Sequence, residues 1–465
     1  MTTAVLLAAG AGRKLWPLSD THPKAVLPLA NRPLICRLLD ACAAVGIERA
    51  LVVAGGHAAA LERAVGVRPA VEIVAEWDSA GPAWSLRRLV EGRPVQGDLL
   101  VLHADVLLAT TDLAALVARG ADGPAVLVSR LDQRHIDSAL PVETGRDWIT
   151  AAIDDGRLAR FLGNHREPQL LRSTGAFYLP ADQLGVLGRI GTRFDGVQVG
   201  SMPPEEVPVE QVLNDLAGAG AAVAAVVCTG AFVDVDKPYH LLTANDCAVR
   251  QLVAAMPERS LGPEASIDPA ARIRGKVRLG ACSRIEGPVL VDGDVWAGDD
   301  AVIADGAILR GPIVIGDRSR IREYCHLTGP SSIGPDGVVA HAAAFQGITF
   351  EHVYLYHMME VYGVLGACVD IGAGTACGTL RFDDGQQSQR IGGRRETPND
   401  HASACIVGAY SRTGVNVALL PGVKIGSYSA IGPGVVVAED VPSRTAVVLK
   451  QELLRRPWGP EQHGW

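Results

Sequence analysis

The sequence predicts two domains of different fold class, a Rossmann-like α/β domain followed by a parallel β-helix. The first prediction rests on short apolar strands that alternate with helical stretches from Met1 to about Asn245, a pattern typical of a doubly wound sheet. The second rests on apolar residues that recur at every sixth position after Pro257, the sequence sign of a β-helix. The predicted boundaries are residues 1–245 for the first domain, 246–259 for a linking helix, 260–442 for the β-helix and 443–465 for a C-terminal tail.

The first domain has recognisable strands and helices. The predicted strands cover Ala4–Ala9, Ala50–Ala54 and Leu99–His103, and the predicted helices cover Leu34–Val45 and Ala58–Val65. In doubly wound folds, ligands bind outside the carboxyl ends of the strands. We therefore expect a binding site at the loop that follows the first strand.

The composition of the 465-residue chain is that of an ordinary globular protein, with 48% hydrophobic and 20% charged residues. The net charge of −8 gives no reason to expect binding to nucleic acid or to an anionic membrane. No segment has the run of about 18 apolar residues that a transmembrane helix needs, and the N-terminal apolar run lacks the basic flank of a signal peptide. The nine cysteines form no Cys-x-x-Cys pair, which suits free thiols in a reducing compartment. We therefore expect a cytoplasmic protein without nucleic-acid or membrane partners.

A glycine-rich loop follows the first predicted strand. Gly10 and Gly12 let the backbone approach a ligand closely, and consecutive free N–H groups there suit a phosphate. Three cationic side chains near the loop suit the same anion: Arg13, Lys14 and Lys24. Because proline restricts the neighbouring backbone, we expect Lys24, which follows Pro23, to lie in an extended segment.

This stretch, from Leu7 to Lys24 and on through Pro28 and Pro33, resembles the signature of the sugar-1-phosphate nucleotidyltransferases. Two residues depart from the family pattern, since Arg13 replaces a threonine and Lys14 replaces the catalytic arginine. Arginine and lysine are not equivalent at a bidentate phosphate site. Three alternatives follow: Lys14 acts as a point charge, Arg13 takes over from the neighbouring position, or transfer is weakened or lost.

The resemblance also implies a metal site. Asp105 follows an apolar strand, where the pattern alone favours a helix N-cap or a turn residue, but the family uses an aspartate here to bind Mg²⁺. Asp234 matches the second metal ligand in a segment similar to the family's closing motif. Two carboxylates and the substrate phosphates are a common way to hold Mg²⁺, so Mg²⁺ is the expected cofactor.

Further positions follow from the resemblance. Glu76 stands where the family has a base-reading glutamine, although this segment also fits an ordinary acidic surface turn. The segment around Gly175 resembles the strand that contacts the sugar, and Asn164 lies where the family has a Glu-Lys pair that this chain lacks. The implied nucleotide-binding residues are Ala8, Gly10, Ala11, Gly12, Glu76 and Gly81; the implied substrate-binding residues are Asn164 and Gly175; the catalytic set is Arg13, Lys14 and Lys24.

The six-residue period of the second domain breaks twice, at Gln346–Val364 and at Leu380–Ala404. Insertions in a solenoid map to loops on one face, so we expect loops at both breaks. The repeats resemble those of left-handed β-helix transferases, and the whole chain resembles archaeal-type bifunctional N-acetylglucosamine-1-phosphate uridylyltransferases with a fused acetyltransferase half. His357 lies near the place of that family's acetyltransferase base, although Tyr356 could align there instead, so His357 is a candidate for a second site.

We therefore predict a nucleotidyltransferase that converts a nucleoside triphosphate and a sugar-1-phosphate, or a cyclitol-type phosphate, to an NDP-conjugate and pyrophosphate. The resemblance further implies a homotrimer. Two alternatives remain open: an acyltransferase that acts through the β-helix, and a catalytically silent protein that binds nucleotides or sugar phosphates within an assembly.

Overall fold

The computed structural model describes residues 2–75, 81–93, 95, 97–130, 149–163, 171–191, 194 and 206–463. The predicted fold classes are confirmed: an α/β domain comes first and a run of short parallel strands follows. All nine cysteines are free. No helix in the described part of the chain is long and apolar enough to cross a membrane.

The described residues of the α/β domain include one mixed sheet of nine strands. In chain order the strands of this domain are β1 (Thr2–Leu7), β2 (Pro28–Leu29), β3 (Arg32–Pro33), β4 (Ala50–Val53), β5 (Val71–Val74), β6 (Asp98–His103), β7 (Val106–Leu108), β8 (Ala125–Arg130), β9 (Ile149–Asp154), β10 (Arg157–Gly163), β11 (Leu171–Leu179), β12 (Ala224–Val227) and β13 (Phe232–Asp234). The sheet order is β5-β4-β1-β6-β11-β8-β12-β10-β9. Strand β1 lies in the parallel half, between β4 and β6, and its apolar residues Ala4, Val5 and Leu6 are buried, as is typical of a strand covered on both faces.

Helices cover the sheet: α1 (Leu34–Ala44), α2 (Ala58–Val65), α3 (Pro82–Gly92), α4 (Thr110–Gly120), α5 (Glu210–Gly218) and α6 (Pro238–Ala254), with α7 (Pro460–His463) near the C-terminus. Helix α6 leads to the second domain, so the proposed boundary at residue 245 falls inside it.

The expectation that Lys24 lies in an extended segment is wrong. Pro23 itself is extended, but Lys24 opens a short 3₁₀ turn, Lys24–Val26, because a proline restricts the residue before it rather than the residue after it.

The second domain is a parallel β-helix with three ladders of short strands. The first ladder contains Arg259–Leu261, Val277–Leu279, Val295–Ala297, Ile313–Ile315, Cys405–Val407 and Lys424–Ile425; the second contains Ser266–Ile267, Arg284–Glu286, Val302–Ala304, Arg320–Ile321, Val338–Val339, Tyr354–Leu355, Asp370–Ile371, Arg412–Thr413, Ala430–Ile431 and Ala446–Val447; the third contains Arg272–Arg274, Leu290–Asp292, Ile308–Arg310, Ala376–Cys377, Ala418–Leu419 and Val436–Val437. Longer strands join the first and third ladders around a corner: His326–Ile333, Ala344–Thr349 and Glu360–Leu365.

Most turns of the β-helix have the same length, since Arg278 pairs with Trp296 and Trp296 pairs in the same way with Val314. This spacing corresponds to three sides of six residues in each turn. Apolar residues point inward at the same position of each side, and they stack into one buried column, of which Leu279, Ile285 and Val291 are members. The six-residue period of the sequence is the direct result of this stacking.

The first break in the period is not an insertion, so the predicted loop at Gln346–Val364 is wrong. Two successive turns there are each shorter by two residues than the regular turn, because Ser332 pairs with Ile348 and Ile348 with Val364. The shortening falls at a corner that carries Gly347 (φ 129°), where an added Cβ would lie 2.0 Å from the carbonyl oxygen of Gly363. A missing pair of residues shifts the period in the same way as an added segment.

The second break is an insertion, as predicted. Glu360 and Gly363 lie three positions apart in one strand, but their partners in the next turn are Ala376 and Cys405. The additional chain is residues 378–404, which we call the insert. It contains the hairpin Gln389–Ile391 with Arg394–Glu396.

The two domains share a hydrophobic cluster, in which Leu15, Leu29 and Leu241 pack with Phe350 and Ile406 of the β-helix. Polar contacts surround it. The Oδ1 atom of Asn245 accepts hydrogen bonds from the Ala30 amide (2.8 Å) and the Ser332 hydroxyl (2.9 Å). The segment that follows the glycine loop is therefore anchored on the β-helix.

Candidate active site

Two adjoining cavities open at the carboxyl end of β1, where the sequence predicts a site. They have volumes of about 390 Å³ and 370 Å³. His103, Asp105 and Glu206 line both cavities. A ligand that extends from one cavity into the other would thus pass Asp105, which follows strand β6.

The glycine loop and the start of helix α3 line the first cavity. Gly10 and Ala11 lie on one side, and Gly81 and Pro82 lie on the other. An added Cβ on Gly10 would meet no atom within 4 Å, so internal packing does not require glycine there. By contrast, Gly81 has φ 125°, and a Cβ there would lie 2.7 Å from the amide nitrogen of Val207. The space at Gly10 is therefore available to a ligand that approaches the backbone closely.

Acidic side chains concentrate in the second cavity because two short strands meet there. Strand β13 pairs antiparallel with β7, which places Asp234 opposite Val106. The amide of Val235 donates a hydrogen bond to the backbone oxygen of Asp105 (2.9 Å). Asp105, Asp234 and Asp236 consequently line one cavity, although the first is far from the other two in the sequence.

Lys24 lies at the centre of these acids. Its Nζ is 2.6 Å from Asp105 Oδ2 and 3.2 Å from Asp236 Oδ1, and its side chain is 12% exposed. Lys14 contacts the other oxygen of Asp236 at 3.0 Å and is more exposed, at 44%. The structure thus brings Lys14, Lys24, Asp105 and Asp234 together, as the sequence predicts.

The charges in this cluster shift one another's pKa values. Burial opposes the charge of Lys24, but the carboxylates of Asp105, Asp236 and Asp234 outweigh it and raise the Lys24 pKa. Burial also raises the Asp234 pKa to about 6, and the nearby charges of Asp105 and Asp236 add to this effect while Lys24 opposes it. The Asp105 and Asp236 pKa values fall despite burial, chiefly because of Lys24.

The donor chemistry of the second cavity fits a divalent metal ion. Five carboxylates and three cationic side chains line the cavity, an excess of two negative charges: Asp105, Glu206, Glu210, Asp234 and Asp236 against Lys14, Lys24 and Arg172. Carboxylate oxygens are the ligands that Mg²⁺ prefers, and Mg²⁺ commonly takes one or two of them together with substrate phosphates. No group of three or more His, Cys, Asp or Glu side chains within the described ranges could hold a metal ion by itself. The residues therefore fit a metal ion whose coordination is completed by a substrate.

The far side of the second cavity is formed by strand β11 and helix α5. Gly175 has φ 73°, and a Cβ there would lie 2.8 Å from the ring of His103, so only glycine allows this close approach. Arg172 is buried with its guanidinium 4.7 Å from the ring centre of Phe232. Glu210 is also buried, and its Oε2 has no hydrogen-bond partner in the described part of the chain.

The remaining predicted site residues lie elsewhere. Arg13 is exposed and lines neither cavity, and Ala8 is buried below the loop. Gly12, with φ 61°, begins the 3₁₀ turn Arg13–Leu15. His357 is far along the chain at a corner of the β-helix, where its ring stacks on His341 with a centroid distance of 4.5 Å. Two further predicted residues lie outside the described residues: Glu76 and Asn164.

Sequence reasoning missed several residues of the site. Asp236 could have been found, because it lies two positions after Asp234 in the same extended segment, and alternate residues of a strand share a face. Glu206, Glu210 and His103 carried no local signal. Tertiary packing alone brings them to the cavity.

Comparison with known proteins identifies relatives. Residues 4–170 match the family described as MobA-like NTP transferase domain. The chain is 24% identical over 441 residues to a bifunctional sugar-1-phosphate nucleotidylyltransferase/acetyltransferase of Sulfurisphaera tokodaii, covering 94% of this chain and 98% of the relative. It is 23% identical over 454 residues to the bifunctional protein GlmU of Methanococcus maripaludis, and the match covers 97% of this chain and 98% of that relative. A solved inositol-1-phosphate CTP transferase from T. maritima covers 53% of this chain and is itself covered to 94%, with 17% identity and a TM-score of 0.42.

Proposed function

We propose that this nucleotidyltransferase, whose residues 4–170 match the MobA-like NTP transferase family, transfers a nucleoside monophosphate to the phosphate of a small sugar-like acceptor. The acceptor would be a sugar-1-phosphate or a cyclitol-type phosphate, and the products an NDP-conjugate and pyrophosphate. The observation that carries the proposal is the position of Lys24 among Asp105, Asp234 and Asp236 in the second cavity, where Asp105 also lines the first cavity. The Sulfurisphaera relative, which is matched along nearly its full length, is a sugar-1-phosphate nucleotidylyltransferase/acetyltransferase, and this supports the acceptor class.

The chemistry assigns a role to each part of the site. A phosphate oxygen of the acceptor attacks the α-phosphorus in line; the bond from that phosphorus to the bridging oxygen breaks, and pyrophosphate leaves with the electron pair. Lys24 would hold the acceptor phosphate and the α-phosphate. Lys14 would stabilise the leaving pyrophosphate together with the backbone amides of the glycine loop, whereas Arg13 is exposed and lines neither cavity. Positioned charge of this kind is the main contribution that a protein makes to phosphoryl-type transfer.

Asp105 and Asp234 would hold Mg²⁺, which supplies positive charge to offset that of the substrate phosphates. The excess of carboxylates in the second cavity supports this assignment. The adjacent triphosphate and acceptor would complete the coordination. We place the enzyme in the cytoplasm, in keeping with its free cysteines.

The function is tested by pyrophosphate release. The wild-type chain is incubated with each of the four NTPs and dTTP, in Mg²⁺, with and without glucosamine-1-phosphate, N-acetylglucosamine-1-phosphate, glucose-1-phosphate or inositol-1-phosphate. We expect release for at least one pair, and only when both substrates are present. Acceptor-independent release, or none with any pair, would count against the proposal.

We predict that Glu210→Gln weakens acceptor binding. Glu210 is buried at the acceptor side, and its Oε2 has no partner among the described residues, so a hydroxyl or amino group of the acceptor can donate to it. Loss of a hydrogen bond to a charged group costs about 1.5–3 kcal/mol, which corresponds to roughly a tenfold to hundredfold rise in acceptor KM. Steady-state kinetics at saturating NTP measure it, with the exposed Glu62→Gln as control. An unchanged acceptor KM would show that Glu210 does not contact the acceptor.

We predict that the base specificity depends on Glu76. An ionised glutamate only accepts hydrogen bonds, so it suits guanine, which offers N1–H and an amino group side by side. Uracil would set a carbonyl against it, and an unsatisfied acceptor costs about 1–3 kcal/mol, or roughly tenfold to hundredfold discrimination. GTP should therefore be preferred to UTP, and Glu76→Gln should shift the preference toward UTP. Competition among the nucleotides decides this, since a wild type that prefers UTP, or an unchanged ranking in the variant, contradicts the role.

We predict that the protein is a homotrimer. A β-helix is a prism with flat sides, and closed symmetric assemblies are the general expectation for soluble oligomers. Light scattering at micromolar concentration should give three times the chain mass of 48.8 kDa. A monomer under these conditions would rule out the trimer.

A further inference from the structure

The insert of the β-helix contacts the first domain beside the acid cluster. The Oε2 atom of Glu396, at the end of the insert's hairpin, lies 2.7 Å from Nζ of Lys237, and the Tyr239 hydroxyl also donates a hydrogen bond to it. Farther along α6, His401 Nε2 lies 3.6 Å from Asp246 Oδ2. The insert thus follows α6 from its first residues toward its middle.

The insert is well fixed on its own side. The side-chain amide of Gln389 is buried and donates to three backbone carbonyls at the end of the insert, those of His401, Ala402 and Ala404, at 3.2–3.4 Å. Ile391 of the same hairpin is buried. Glu396 is therefore presented to the first domain from a defined position.

Lys237 needs a negative partner at its position. It is the N-cap residue of α6, and its side chain is only 10% exposed. The N-terminus of a helix carries a partial positive charge that disfavours a cation, and a buried ammonium is costly unless it is paired. Glu396, with a side chain 17% exposed, places a negative charge beside the Lys237 ammonium and beside the N-terminus of α6.

The same turn carries the active-site acids. Lys237 directly follows Asp236 and is three residues after Asp234. The Asp236 amide donates to Nδ1 of His240 at 3.3 Å, which ties the acid segment to the first turn of α6. A change in the position of Lys237 would therefore move the backbone that holds Asp234 and Asp236.

We propose that Glu396, a residue of the β-helix insert, is a positioning residue for the nucleotidyltransferase site and acts through Lys237. This inference rests on the proposed function of the acid cluster. With Glu396 in place, Lys237 is neutralised by the second domain. Without it, the insert no longer offsets the positive charge of Lys237, which lies one residue from Asp236 and three residues from Asp234, and an additional positive charge near these acids opposes binding of the metal ion. The β-helix thus contributes a residue that the first domain needs for metal binding and nucleotidyl transfer.

The test compares two charge-removing substitutions in the insert. Glu396→Gln removes the carboxylate that forms the ion pair with Lys237, and Asp383→Asn is the matched control, because Asp383 is exposed and pairs within the insert with Arg381 at 2.6 and 2.7 Å. Binding of Mn²⁺ to each full-length variant is measured by electron paramagnetic resonance, and transfer is measured as a function of Mg²⁺ concentration. Loss of a residue that supports metal ligands commonly costs about 10–100-fold in metal affinity or activity, so we expect Glu396→Gln to weaken Mn²⁺ binding by at least about tenfold.

The remaining arms separate positioning from general stability. Glu396→Asp should restore part of the Mn²⁺ affinity. The double variant Lys237→Gln/Glu396→Gln, which lacks the ammonium as well as the carboxylate, should bind Mn²⁺ more tightly than Glu396→Gln, and it keeps the test usable if the single variant does not fold. Equal Mn²⁺ affinity and Mg²⁺ dependence in Glu396→Gln and the wild type would overturn the inference. A wild type that binds Mn²⁺ but releases no pyrophosphate with any substrate pair would instead overturn the proposed function.

Discussion

The Lys24→Met variant is expected to lose transfer activity by about a hundredfold to a thousandfold in kcat, the usual cost of removing one charge-stabilising group from an active site. Lys24 is the cation at the centre of the cluster, within 2.6 Å of Asp105 and 3.2 Å of Asp236. Methionine keeps the length and the apolar stem of the side chain but removes the charge. The substrate phosphates lose the ammonium that would bind them, and Asp105 loses the ion pair that orients its carboxylate.

Steady-state pyrophosphate release at saturating NTP and acceptor measures this effect. Lys450→Met is the matched control, since Lys450 is exposed in the C-terminal segment and its loss should leave kcat unchanged. A kcat for Lys24→Met within about threefold of the wild-type value, well short of the usual cost, would show that the lysine only balances the acids of the folded protein.

Asp105→Asn and Asp234→Asn should each lower transfer by roughly a hundredfold or more, because each removes a carboxylate that would hold the metal ion and offset phosphate charge. Neither change should unfold the domain. Burial, together with the charges of Asp105 and Asp236, disfavours the ionised form of Asp234 and raises its pKa despite the opposing charge of Lys24, so its neutralisation removes an unfavourable buried charge. The unfolding temperature of Asp234→Asn in metal-free buffer should therefore equal or exceed that of the wild type.

Pyrophosphate release across a range of Mg²⁺ concentrations, with thermal unfolding in the same buffer, measures both effects. Asp122→Asn serves as control, since Asp122 is exposed and its carboxylate contacts a neighbouring surface residue, Arg119, at 3.2 Å. Near wild-type turnover of either variant in saturating Mg²⁺ would remove that residue from the metal site.

The fold could be predicted well where one physical rule acts along the sequence. A β-helix repeats the same inward-facing position on every six-residue side, so its apolar column is visible as a six-residue period. The sequence resemblance to nucleotidyltransferases and to bifunctional two-domain relatives is confirmed by the matches to such proteins. The prediction failed at Gly347, where two shortened turns shift the period as an insertion would. A shift in the six-residue period shows that a turn has changed its length, but it does not show whether residues were added or removed.

The site was predictable in part. Asp105 follows strand β6, Asp234 ends strand β13 and Lys24 lies in the glycine-loop motif, so the sequence predicts all three for the cavity in which the structure places them. The choice between Lys14 and Arg13 depends on the 3₁₀ turn Arg13–Leu15, which directs Lys14 to Asp236. The contribution of Glu396 could not be predicted, because it depends on how an insert of the second domain packs on the first.

The most direct test of the central claim is ³¹P nuclear magnetic resonance of the wild-type reaction. With the best NTP and acceptor from the pyrophosphate screen, we expect equal amounts of pyrophosphate and of a new diphosphate that joins the nucleoside monophosphate to the acceptor phosphate. Lys24→Met should suppress both signals together. Formation of inorganic phosphate and NDP, or of free NMP with no acceptor conjugate, would contradict nucleotidyl transfer at this site.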